Sequence, residues 1–283
     1  MNYHGRMTLS TRNYFFKGGI ILAALSLGLI AAGGYFAFSA YPEAAQAAAT
    51  RSGGIIQALM EDRVSPSAQV PFFTMLAAAL YSFISMILIY RFFEKTQAPE
   101  ILFFGFFVIS LSFEFIRLII PLGTAFSFPV MYVITGARIL LFARYFGLFS
   151  LFAASVYAAG LDVQKQQNTF FVLILSALVI VIRLPIDGIV WDSAFMPWSA
   201  YRSMFAIVEA GILAVTMLTF FIAAYTKGSW AYVSVGIGSF LVFAGGNILI
   251  RSDTWITPLP GLIALAAGTW LIASRLRREY LWL

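Results

Sequence analysis

The sequence contains no cysteine and a single histidine. Without cysteine there is no disulfide framework, no iron–sulfur cluster, no thiolate-held zinc and no cysteine nucleophile. His4 lies in the amino-terminal tail and reads as solvated. A His-Glu-x-x-His zinc helix, axial haem histidines and a histidine base within the membrane are therefore excluded. Charge is scarce as well: 11% of residues are charged, where a soluble domain has about 25%. Lysine occurs four times, at Lys17, Lys95, Lys165 and Lys227, always in a short break between apolar runs. No lysine is left inside a run for a retinal Schiff base or a serine–lysine pair, and no Gly-x-x-x-x-Gly-Lys phosphate loop exists. No catalytic residue, metal or cofactor is expected.

What the chain does have is apolar length: 61% of its residues are hydrophobic and 17% aromatic. A helix needs about 20 apolar residues to cross the hydrocarbon core. Eight segments qualify, at 18–39, 71–90, 101–120, 130–157, 169–186, 201–225, 230–250 and 256–274. The expected fold is all-α, a polytopic membrane bundle of eight transmembrane helices. Residues 1–70 form an amino-terminal anchor helix with a short extracytoplasmic amphipathic segment, and residues 71–283 form a seven-helix bundle.

Basic residues give the orientation. With the amino terminus cytoplasmic, the inner segments hold Arg6, Arg12, Lys17, Arg91, Lys95, Lys165, Lys227, Arg275, Arg277 and Arg278, ten in all, against four outside, Arg51, Arg63, Arg202 and Arg251. The positive-inside bias then places both termini in the cytoplasm of a bacterial-type cell membrane. Trp191, Trp198 and Trp255 fall at the outer boundary and Trp230, Trp270 and Trp282 near the inner one, as an aromatic belt requires. The net charge of +6 follows from the same flanks and calls for no nucleic-acid partner. The first span also reads as a signal peptide ending at Ala45-Gln46-Ala47, but its 22 apolar residues exceed the usual h-region of about 7 to 15. In the outer loop, Ile55, Ile56, Leu59 and Met60 oppose Gln57, Glu61 and Asp62, which predicts a short surface helix, a lid or a plain connector.

Ionisable residues inside the spans single out a site. An ionised side chain at the bilayer centre costs roughly 2.5 kcal/mol or more unless paired or hydrated. Span three carries Ser110, Glu114 and Arg117 at i, i+4 and i+7, one face that ends at Pro121. Span six carries Arg202, Glu209 and Thr216 at heptad spacing. Arg138, Arg144 and Arg183 lie in spans four and five, Arg183 one turn before Asp187, and Asn247 in span seven. By depth, most of these polar groups converge on an outward-opening cavity. Four arginines (Arg117, Arg138, Arg144, Arg183) face two glutamates inside the spans, and a small anionic ligand or a lipid headgroup would complete the balance. In the competing reading, Arg138 and Arg183 snorkel to the interface and the remaining pairs are interhelical ties.

The layout of one anchor, a small external segment and seven further helices resembles bacterial seven-helix sensor regions in helix count alone. That resemblance implies a non-enzymatic receptor whose output passes to a separate cytoplasmic signalling chain, docked on the basic tail Arg275 to Arg278. A small transporter of an anionic solute is the alternative, and should show a polar path continuing inward through Thr216, Ser150 and Ser155. A lipid-handling enzyme using Glu114 or Glu209 as a base is a further one. Gly28-x-x-x-Ala32, Ala154-x-x-x-Ala158 and Gly245-Gly246 are read as close helix contacts, and the phenylalanine-rich stretch from Phe103 to Phe115 as core or lipid-facing.

Overall fold

The computed structural model describes residues 9–40, 69–94, 96, 98–184, 191–196 and 202–281, with side chains at all of these except 38–40, 202–205 and 278–281. The expected surface helix around Ile55, the Ala45-Gln46-Ala47 motif, Asp187 and the side chain of Arg202 lie outside the described residues.

Among the described residues every element is helical. In order these are α1 (Leu9–Ala40), α2 (Gln69–Phe93), α3 (Pro99–Leu111), a 3-10 segment (Ser112–Leu118), α4 (Ile119–Phe126), α5 (Val130–Ala158), a short 3-10 turn (Val163–Lys165), α6 (Gln166–Arg183), α7 (Arg202–Lys227), α8 (Ala231–Ile250) and α9 (Pro258–Leu281). Among the described residues eight stretches are long and apolar enough to cross a membrane, with α3, the 3-10 segment and α4 forming one continuous stretch, Pro99–Phe126. The chain is a multi-pass membrane protein. Its surface agrees: Phe171, Val172, Leu175, Leu178, Val179 and Ile182 stand exposed along α6. Such a stripe aggregates in water and faces acyl chains in a bilayer.

α3 is the central helix. All of its residues are buried except Ile109. Phe103, Phe104, Phe106 and Phe107 thus fill the core, Phe103 stacking on Tyr157 at 5.1 Å and Phe106 meeting Phe170 at 5.0 Å. The described part of α1 reaches back ahead of its apolar run, and Arg12 there is buried. Its guanidinium donates to the carbonyls of Phe93 and Glu94, at 2.8 and 2.6 Å, and so caps the last turn of α2. α1 also reaches the core at mid-length, where Ser26 Oγ donates to the carbonyl of Ser112 at 2.7 Å.

α8 and α9 meet through glycine. A Cβ on Gly245 would lie 2.7 Å from the carbonyl oxygen of Gly261, and one on Gly268 would lie 2.6 Å from that of Gly238. The two glycines on each helix are seven residues apart, so one seam carries all four contacts and brings backbone against backbone. Gly28 does not share this role: nothing lies within 4 Å of where its Cβ would be, so the close approach expected there is absent.

Candidate functional site

The site starts from a change of winding. At Ser112 the α-helix of α3 tightens into the 3-10 segment, and three buried serines gather there. Ser82 of α2 donates to the carbonyl of Val108 at 2.7 Å and lies 2.7 Å from the Ser112 hydroxyl, beside the Ser26 bond. In a 3-10 helix side chains three apart eclipse one another. Glu114 and Arg117 therefore point the same way, and Arg117 Nη1 donates to Glu114 Oε2 at 3.4 Å. Both residues are 1% exposed.

The second oxygen of Glu114 belongs to another helix. Arg144 of α5 donates to Oε1 through Nε at 3.3 Å and Nη2 at 3.4 Å, its side chain 19% exposed. One carboxylate thus serves two guanidiniums in direct contact. These separations exceed the roughly 2.7–2.9 Å of a tight charge-assisted bond, as expected when an acceptor is divided.

Arg117 completes its contacts on the connection between α6 and α7. Its Nη2 donates to the carbonyl of Ala194. That carbonyl is aimed by a turn in which Asp192 Oδ1 accepts from the backbone N–H of Ala194 at 3.1 Å and of Met196 at 2.8 Å. Phe195 adopts φ 57°, uncommon for a bulky residue, and its fully buried ring meets Phe72 at 5.7 Å. Ser193 Oγ then donates to Asp253 Oδ2 at 2.7 Å, tying the turn to the connection after α8.

Beside Arg144 lies a hollow of about 40 Å3 whose polar lining is Ser110, Glu114, Arg144, Tyr145, Glu209 and Asn247. That is room for roughly two or three waters. Glu209, its side chain 23% exposed, pairs with Arg251 at 3.7 Å, one residue past the end of α8.

The structure therefore brings together Glu114, Arg117, Arg144, Glu209 and Asn247, and leaves Arg138 and Arg183 apart. Both are exposed on the outer face of the bundle. Arg138 lies six residues before Arg144, roughly 240° around α5, so the two cannot share a face. Arg183 is the last residue of α6, and a long side chain at a helix end is able to reach headgroup level. With Arg251 drawn in against Glu209, the surplus of four arginines over two glutamates becomes three, Arg117, Arg144 and Arg251, against Glu114 and Glu209. Arg138→Gln and Arg183→Gln should each shift stability by no more than about 0.5 kcal/mol in thermal unfolding in detergent. A larger loss would place these side chains inside the bundle.

The other hydroxyls expected to mark a path across the membrane are spent locally. Ser150, Ser155 and Thr216 donate to the carbonyls of Phe146, Phe152 and Ile212 on their own helices. No protein-family model, curated protein or solved structure matches the chain.

Proposed function

We propose that the chain is a non-enzymatic binding bundle of the receptor or sensor type, in which Arg144 takes the acidic group of a small solute. Both termini are cytoplasmic in this reading, on the ten-to-four count of basic residues, and the hollow opens outward. The observation that carries it is the division of Glu114. Of Glu114, Arg117 and Arg144, Arg144 is the partly exposed one; it lines the hollow and shares its counter-charge with a fully buried arginine. An incoming carboxylate or phosphate oxygen would replace Glu114 on Arg144 and leave Glu114 wholly to Arg117.

That exchange reaches further than the hollow. Arg117 holds the Ala194 carbonyl, so a tighter Glu114–Arg117 pair alters the grip on the 191–196 turn and, through Ser193, on Asp253. Binding is favoured over transport because Ser150, Ser155 and Thr216 bond within their own helices and offer no continuing polar path.

The test is calorimetric titration of the protein in phosphatidylcholine nanodiscs with acetate, succinate and inorganic phosphate. At least one should bind the wild type and Arg183→Gln alike, and bind Arg144→Gln roughly 10- to 100-fold more weakly, the loss of one charge-assisted contact. Equal affinity in Arg144→Gln, or no binding by any of the three, would contradict the proposal.

A further inference from the structure

A second cavity lies away from the ion cluster. It is a groove of about 460 Å3 between α2, α3 and α9, in the half of the bundle where α2 and α9 end. This falls within the roughly 300–1,000 Å3 of small-molecule sites. α2 and α9 touch little along this stretch, and α3 closes its back with Ile101 and Phe104. The base is buried, whereas the rims are open: Ile84, Leu88, Phe92 and Trp270 all line the groove and stand exposed. Entry is therefore sideways, from the lipid.

Length and charge identify the occupant. Along α2 the lining runs from Tyr81 to Phe93, about 18 Å at 1.5 Å per residue. That is close to half of a hydrocarbon core of about 30 Å, the depth of one leaflet. At the mid-bilayer end the Tyr81 hydroxyl and Thr269 Oγ1 lie 2.5 Å apart, satisfying each other and leaving an apolar stop. At the other end the groove runs out beneath a guanidinium, for Arg277 stacks over Phe92 at 5.2 Å, one residue past the lining Leu276. Lys17, over the Tyr90 ring at 5.7 Å, and Arg91, Arg275 and Arg277 fall at this end by their positions on α1, α2 and α9, with Glu94 just past α2 and Glu100 of α3 as counter-charge among the described side chains. Arg12 is engaged in capping α2.

We infer that this groove is a binding site for an anionic phospholipid, one acyl chain lying between α2 and α9 and the phosphate meeting Arg277 and its basic neighbours. The apolar walls recognise the chain and the mouth selects the headgroup charge. This is independent of the Arg144 hollow, which shares no lining residue with it.

The experiment reconstitutes the full chain with equimolar phosphatidylglycerol and phosphatidylcholine, extracts it in mild detergent, and counts retained lipid by native mass spectrometry. The wild type should keep about one phosphatidylglycerol per chain in preference to phosphatidylcholine. Ala273→Phe and Ala266→Phe, each filling the groove, and Arg277→Glu at its mouth should each lower that retention several-fold. Leu178→Phe, on the exposed stripe of α6, should leave it unchanged. The inference is overturned if the wild type retains no lipid or shows no headgroup preference. It is equally overturned if Arg277→Glu alone has an effect, since the basic end would then act without the groove. A dimeric wild type made monomeric by the groove variants would also overturn it, because a second copy would then be the occupant. Circular dichroism of each variant separates lost lipid from lost fold, and the two groove substitutions at different depths guard against one failing to fold.

Discussion

Glu114→Gln should cost the folded protein about 3–5 kcal/mol, the penalty for stripping the partner from a buried ion pair. The magnitude follows from how the carboxylate is used. It is almost wholly buried, lies 3.4 Å from Arg117 and 3.3 Å from Arg144, and Arg117 is itself 1% exposed. Glutamine keeps the shape and one acceptor but removes the charge, so two guanidiniums face each other across a medium that screens poorly. Arg117 has little slack, because its Nε already lacks a partner among the described residues. The internal standard is Glu209→Gln. That carboxylate and its partner Arg251 are 23% and 40% exposed, and an ion pair of that kind is worth about 1 kcal/mol or less. Denaturant unfolding in mixed micelles, followed by tryptophan fluorescence, measures both. Equal losses in the two variants would show that the Glu114 cluster is as dispensable as a surface pair.

The second large effect is expected at the seam between α8 and α9. Gly245→Val should destabilise the protein by about 3 kcal/mol, the upper end of ordinary overpacking. Here the atoms in the way are backbone: the Gly261 carbonyl oxygen at 2.7 Å and the Leu265 nitrogen at 2.8 Å. A flexible side chain could swing aside, but a helix backbone must move as a whole. Such a shift would also separate the second pair of glycines one heptad away, Gly238 and Gly268. Gly28→Ala is the matched control, since open space surrounds that position and alanine favours a helix over glycine by up to about 1 kcal/mol. Thermal unfolding of both variants in the same detergent should give opposite signs. A tolerated Gly245→Val would mean that α8 and α9 are not held at glycine distance.

Much of the architecture was legible because membrane helices declare themselves by length and hydropathy, and all eight apolar runs correspond to long helices. The ends were less so. The described part of α1 already covers Leu9 to Lys17, ahead of the apolar run, where Arg12 finds backbone carbonyls on α2, a long-range partner with no local signature. Pro121 does not stop span three, because it falls in the first turn of α4, just after the 3-10 segment, where a missing N–H costs least.

The site was legible in part for similar reasons. The i, i+3 spacing of Glu114 and Arg117 announced their contact, and Glu209 and Asn247, singled out as polar groups inside apolar spans, line one hollow. The 3-10 winding that aligns the pair was invisible, since it depends on Ser26 and Ser82 arriving from other helices. Arg138 could be read either as a pocket residue or as a snorkelling one because α5 spans 29 residues and its lipid-facing side is fixed only by its neighbours. Arg251, one residue past α8, looked like a loop charge. The Ala194 carbonyl could not be anticipated at all, because every residue has one and only the fold decides which is aimed at an arginine.

The most direct test of the shared carboxylate is a double-mutant cycle between Glu114→Gln and Arg144→Gln, read as unfolding free energy in nanodiscs without added ligand. If Glu114 holds Arg144 as the structure indicates, the double variant should lose less than the sum of the single losses, by roughly 1–3 kcal/mol. Losses that add to within about 0.5 kcal/mol would mean that the two side chains do not interact, and the binding site built on their contact would fall with it.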